Sequence, residues 1–250
     1  MPDGRRSPPS DMSTGPVIRV VGIRKVFGFV PVLDGVDLEV RGGEAVALLG
    51  ANGAGKTTLL KILATLMRPT RGTASVAGHD VVRQPEAVRR VIGVVGHGAW
   101  VYDDLTAREN LVFWATLGGL DAGADELNAA LAAVDLERVA GARVRTFSAG
   151  MKRRLSLARV ALARPHVLLL DEPFAGLDQR ARKWLEGRLE GFRGQGGTVL
   201  MVTHSFGREL AVADRIAVLA GGRIALDTPR GTLSGDDVQR LYAAHAEDAP

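Results

Sequence analysis

Apolar residues fall along this chain in two rhythms. Ala45-Val46-Ala47-Leu48-Leu49, Val167-Leu168-Leu169-Leu170 and 198–202 are short, nearly unbroken apolar runs, as expected of strands buried on both faces. Residues 17–21, 32–40, 73–76, 91–95 and 216–219 add further strand candidates, with partial alternation in the second. Between them the spacing turns helical. Residues 56–66 place Leu59, Leu60, Ile62, Leu63 and Leu66 on one broad apolar side. Segments near 106–117, 125–133 and 149–163 continue the pattern, and a helix over about 179–192 separates two strands. Strands alternating with helices predict an α/β fold with a parallel sheet covered on both faces. The block from Asp104 to Ala163 predicts a helical subdomain, Gly42-Gly43 a turn, and Arg68-Pro69-Thr70-Arg71-Gly72 a break. No internal repeat is visible, so one unit is expected.

Composition narrows this picture. Residues 1–15 are dense in Pro, Gly and Ser and predict a disordered tail, while 231–250 is weakly patterned and polar, a C-terminal tail. The absence of cysteine excludes disulfides and thiolate metal sites and fits a reducing compartment. No apolar run approaches the roughly 20 residues that cross a bilayer, and the first residues lack a signal-peptide core. A soluble, cytoplasmic chain is expected, reaching a membrane only through a partner. The net charge of +4 suits work near phosphates and equally an ordinary basic surface. It lacks the density of a nucleic-acid-binding domain, and no nucleic-acid partner is expected.

The chemistry centres on Gly50-Ala51-Asn52-Gly53-Ala54-Gly55-Lys56-Thr57, a G-x-x-x-x-G-K-[ST] pattern between a buried strand and a helix. Glycines let successive N–H groups turn inward, and the helix start adds positive potential. Gly50, Asn52, Gly53, Ala54, Gly55, Lys56, Thr57 and Thr58 are therefore candidate phosphate-binding positions. Lys56 can reach the β- and γ-phosphates, and the Thr57 hydroxyl can ligate Mg²⁺. ATP and Mg²⁺ are the expected ligands.

Three further stretches extend the site. Val167–Leu170 runs into Asp171-Glu172. Asp171 at such a strand end supplies the metal site through a bound water, and Glu172 can polarise the attacking water. Phe147-Ser148-Ala149-Gly150-Met151 opens the helix carrying Lys152, Arg153 and Arg154, an anion-friendly start that also fits a plain serine cap. Leu200-Met201-Val202-Thr203-His204 ends in a histidine, a position open to a structural role as well as a catalytic one.

Taken in order, these residues resemble the nucleotide-binding subunit of ABC transporters over about 16–230. The likeness rests on the P-loop, the signature-like 147–151, the Asp171-Glu172 strand end, a D-loop-like Ala175-Gly176-Leu177-Asp178 and the switch-like His204. The resemblance implies a P-loop NTPase with a RecA-like parallel core sheet, an antiparallel β subdomain and an inserted helical subdomain at about 98–163. It implies ATP hydrolysis with Lys56, Glu172 and His204 as catalytic residues. It also implies a homodimer in which each ATP lies between one P-loop and Ser148 and Gly150 of the other copy, with Asp178 nearby. Phe27 matches the aromatic residue that stacks on adenine, although a core aromatic is an alternative. Integral membrane permease subunits are the implied partners, holding the chain on the inner face of the membrane.

Departures sharpen the comparison. The signature has Phe147, Ala149 and Met151 where Leu, Gly and Gln are common. His97 stands where the family usually has a glutamine that senses Mg²⁺; an imidazole there can also bond water or metal. Gly96-His97 followed by Leu105-Thr106-Ala107-Arg108-Glu109-Asn110-Leu111 resembles the haem-exporter ATPase of cytochrome c maturation. Haem export is thus the first expectation. Drug or metabolite efflux, or a soluble assembly ATPase of iron–sulfur type, are the alternatives.

Overall fold

The computed structural model describes residues 15–96, 98, 100–204, 208–231 and 233–246. A six-stranded sheet in the order β10-β9-β3-β8-β7-β6 forms the centre. Its members are β3 (Ala45–Leu49), β6 (Ile92–Val95), β7 (Val167–Asp171), β8 (Thr198–Val202), β9 (Arg215–Ala220) and β10 (Arg223–Pro229). All neighbours are parallel except β10 on β9. Successive residues of a strand face opposite sides, and here both sides are covered. Val46 and Leu48 join the core that includes Leu169, Leu200 and the helix α1 (Lys56–Leu63). Ala45, Ala47 and Leu49 join the opposite core with Leu170, Met201 and the helix α6 (Gln179–Gly194). That double burial explains the unbroken apolar runs.

A second, antiparallel sheet, ordered β2-β1-β4-β5, packs its apolar face into the α1 side. It comprises β1 (Pro16–Phe27), β2 (Val30–Arg41), β4 (Arg71–Val76) and β5 (His79–Asp80). β1 is longer than the expected 17–21. Its alternation is broken by a positive φ of 56° at Gly22 and a register shift between Val20 and Ile23, which hid its second half.

The remaining helices are α2 (Pro85–Val91), α3 (Ala107–Leu117), α4 (Ala124–Ala132), α5 (Ala149–Leu162) and α7 (Gly235–Ala246). α3, α4 and α5 enclose their own core of Leu111, Leu127, Leu131, Phe147 and Leu155. α3 starts on a capping box: Glu109 N–H donates to the Thr106 hydroxyl at 3.1 Å, and Thr106 N–H donates to the Glu109 carboxylate at 2.7 Å.

Three expectations are corrected. Val91 closes α2 rather than opening β6. α1 stops at Leu63, and Thr65 takes a positive φ, so Leu66 is 56% exposed instead of lying on the apolar side. The weakly patterned segment after Arg230 carries α7, docked through buried Val238 and partly buried Leu233 and Tyr242. Three apolar anchors over ten residues are too sparse to show as a period.

Candidate functional site

The loop between β3 and α1 is shaped by two glycines with little room. A Cβ on Gly50 would stand 2.6 Å from the Leu219 carbonyl oxygen. Gly55 has φ 102°, and a Cβ there would stand 2.6 Å from Leu33 Cδ2 and 2.9 Å from the Val32 carbonyl oxygen. β9 and β2 thus press on the loop from two sides, and only glycine tolerates both the contact and the left-handed backbone. Gly53 is also left-handed, at φ 86°, but faces open space.

Lys56 is 7% exposed, and its ammonium donates to the carbonyls of Gly50 at 2.7 Å and Ala51 at 2.9 Å. Burial holds its pKa below the usual lysine value, while the nearby Glu172 and Asp171 charges pull the other way. Thr57 lies at the first turn of α1, and its hydroxyl donates to Asp171 Oδ2 at 3.0 Å. Asp171, the last residue of β7, is 5% exposed. The α1 start and the β7 end therefore bring two hard oxygen groups together. That donor pair suits Mg²⁺, which typically takes one or two protein groups and draws the rest from phosphates and water.

The chain leaves β7 through Glu172 in the left-handed region, φ 49°, an uncommon conformation for a side-chain-bearing residue. Glu172 N–H donates to the Val202 carbonyl at 2.9 Å. Its carboxylate Oε1 lies 2.7 Å from His204 Nδ1. His204 follows β8, the parallel neighbour of β7, so sheet register sets the pair. The contact argues against an isolated structural histidine. A carboxylate hydrogen-bonded to an imidazole beside a phosphate loop is suited to hold and polarise a water.

Other candidates sit apart. Ser148 caps α5, its hydroxyl accepting from Met151 N–H at 3.2 Å, and Gly150 has open space where a side chain would be. Both belong to the helical region, whose core is distinct from those around the P-loop. Asp178 caps α6, accepting from Ala181 N–H at 2.7 Å. Phe27, at the end of β1, is 45% exposed, which excludes the core-aromatic alternative; Lys25 Nζ lies 5.1 Å from its ring centroid. Asn52 and Gly53 are exposed in the loop, Ala54 is half-buried, and Thr58 lies on α1. His97 lies outside the described residues.

One further residue does not stand out in the sequence, where Arg153 is only one of three cations after the signature-like segment. It is instead 7% exposed and bonded to the backbone around Glu172. In Lys152-Arg153-Arg154, nothing in the local pattern tells which cation turns inward.

The family model described as ABC transporter matches residues 33–175, more than half of the chain. The chain belongs to the ABC transporter family. It is an ATP-binding subunit of that family, whose ATPase domains hydrolyse ATP coupled to transport. It is 43% identical over 212 residues to "Daunorubicin resistance ATP-binding protein DrrA3" of Streptomyces coeruleorubidus, covering 83% of this chain and 66% of that protein. It is 41% identical over 245 residues to "Daunorubicin/doxorubicin resistance ATP-binding protein DrrA" of Streptomyces peucetius, covering 94% and 74%. It is 39% identical over 226 residues to "Nod factor export ATP-binding protein I" of Burkholderia lata, covering 88% and 74%. The chain thus spans roughly two thirds to three quarters of the length of these relatives.

Among solved structures, "Structure of ATP binding subunit of ABC transporter" superposes with a TM-score of 0.78 at 30% identity, over 92% of this chain and 94% of that one. A dimeric ATP-binding cassette described as a post-hydrolysis state with ADP and Pi has a TM-score of 0.79 over 86% and 100%. At 24% identity it bears on the fold alone. These matches establish the ABC ATPase fold expected from the motifs. They do not support the haem-exporter expectation and favour the efflux alternative, because the relatives named here are drug-resistance and Nod-factor-export ATP-binding proteins. The short stretch 96–111 that suggested haem is outweighed by identity spread over more than 200 residues.

Proposed function

We propose that this chain energises efflux of an amphipathic organic small molecule through separate membrane subunits. The observation that carries this reading is its 41–43% identity to daunorubicin-resistance ATP-binding proteins. Among the described residues no helix is long and apolar enough to cross a membrane, so the conduit is assigned to partner chains.

The site supports a specific division of labour. Backbone N–H groups of 53–57 and the α1 start receive the phosphates, and Lys56 balances their charge. Thr57, with Asp171 through water, would hold Mg²⁺, which neutralises charge shared between the β- and γ-phosphates. Glu172 accepts the proton of the attacking water, and His204, bonded to Glu172, orients it. Phe27 offers an exposed face for the base; stacking accepts any base, so base selectivity is weak.

Ser148 and Gly150 lie exposed or half-buried at an α5 start, beside a region with its own core. They are assigned to the ATP held by a second copy of this chain, with Asp178 near that junction. Bridging of the γ-phosphate then favours the closed pair by differential contact, and hydrolysis removes the bridge.

The test compares cells carrying the parent chain with cells carrying Glu172→Gln. Intracellular accumulation of a fluorescent anthracycline is followed, and the tagged chain is recovered from detergent-solubilised membranes with its partners. Higher accumulation in the variant and recovery of a permease support the proposal. Equal accumulation with haem-handling membrane proteins as partners would restore haem export, and recovery with no membrane protein would favour an assembly ATPase.

A further inference from the structure

Arg153 lies in the first half of α5, five residues after Ser148, yet its guanidinium ends among the strand tips of the catalytic sheet. Its Nε donates to the Pro173 carbonyl at 3.2 Å. One terminal nitrogen donates to the Gly96 carbonyl at 2.7 Å. The other donates to Asp171 O at 3.1 Å and Glu172 O at 2.8 Å. Four backbone acceptors on two neighbouring strand ends thus share one side chain. Only a guanidinium carries enough donors in a fixed fork for this.

Burial pulls the Arg153 pKa below its usual value, and the adjoining Asp171 and Glu172 charges oppose that shift. Glu172 stands at φ 49°, a conformation that persists only where its surroundings over-determine it. Its N–H is held by Val202 O, and its C=O accepts from Arg153 at 2.8 Å and from Ala175 N–H at 3.1 Å. The Arg153 bond is the shorter of the two on that carbonyl and the one made by a side chain, so its loss loosens the residue whose carboxylate lies 2.7 Å from His204.

We propose that Arg153 is a positioning residue for hydrolysis, clamping the backbone of Glu172 so that its carboxylate is aimed at the attacking water. The inference rests on the reading of Glu172 as the water-activating group. Because the bonds run from α5 to the β7 end, Arg153 also fixes the helix that begins at Ser148 relative to the hydrolytic carboxylate.

The experiment measures kcat, KM for ATP, single-turnover hydrolysis, equilibrium ATP binding and thermal melting for the parent, Arg153→Lys, Glu172→Gln and the double variant. Lysine keeps the charge but lacks the fork. Arg153→Lys is expected to melt cooperatively and bind ATP as the parent does, while kcat falls by roughly 10- to 100-fold, the scale of a small misplacement of a reacting group. In the Glu172→Gln background the same change is expected to remove no further single-turnover rate, since both act through one carboxylate. Parent-like kcat in Arg153→Lys overturns the proposal. So does a rise in KM alone, or a loss that persists in full without the Glu172 carboxylate. Should Arg153→Lys fail to melt cooperatively, Arg153→Gln carries the same comparison. If Glu172→Gln itself hydrolyses at the parent rate, it is the assignment of Glu172 that fails.

Discussion

Replacing Gly55 with alanine should do more damage than the same change at Gly53, although both are left-handed glycines of one loop. At φ 86°, Gly53 has nothing within 4 Å of the added methyl. Gly53→Ala therefore pays only for the backbone, about 1–2 kcal/mol. Gly55 pays that and a collision. Its new methyl would stand 2.6 Å from Leu33 Cδ2 and 2.9 Å from a Val32 carbonyl oxygen. Leu33 is fully buried in β2, and the carbonyl belongs to a paired strand, so neither can withdraw cheaply. Overpacking of this kind adds about 1–3 kcal/mol, for a total of about 2–5 kcal/mol. The loss of unfolded-chain freedom on going from Gly to Ala is common to both variants and cancels in the comparison. For a chain of 250 residues each kcal/mol lowers the melting temperature by about 2–4 °C. Differential scanning calorimetry should therefore place Gly55→Ala below Gly53→Ala by several degrees, with weaker ATP binding because the loop must shift. Identical melting temperatures would refute the claim that β2 shapes the phosphate loop.

Two further outcomes are expected. Lys56→Ala should weaken nucleotide binding and abolish turnover; a variant that turns over normally would remove the lysine from the phosphate site. The Glu109 carboxyl is held below its usual pKa, first by the Thr106 backbone N–H and then by the Thr106 hydroxyl. Its contribution is present above the usual carboxylate range and is lost as pH falls through the lowered value. Urea midpoints should therefore fall more steeply on acidification for the parent than for Glu109→Gln, and parallel curves would contradict this.

Legibility in the sequence followed physical simplicity. β3, β7 and β8 are buried on both faces, so their apolar runs stand out from any background. The P-loop and the Asp171-Glu172 end are contiguous in sequence, and their chemistry shows in spacing. The meeting of Thr57 with Asp171, 114 residues apart, followed from the parallel topology those strands imply. Other features depended on tertiary partners. The far half of β1 lies beyond a bulge, and α7 docks on few apolar side chains. Arg153 is buried by carbonyl oxygens, which every residue carries and no local pattern records. The resemblance to one exporter branch drawn from 96–111 shows the opposite hazard, since a short motif weighs little against identity spread over 212 residues.

The role of Glu172 is tested most directly by ATP turnover of purified Glu172→Gln, measured with ATP binding and with solution mass before and after ATP addition. Parent-like ATP binding, no steady-state hydrolysis and accumulation of a dimer once ATP is present are expected. Hydrolysis at the parent rate would contradict the central claim that Glu172, held beside His204 at the end of β7, activates the water.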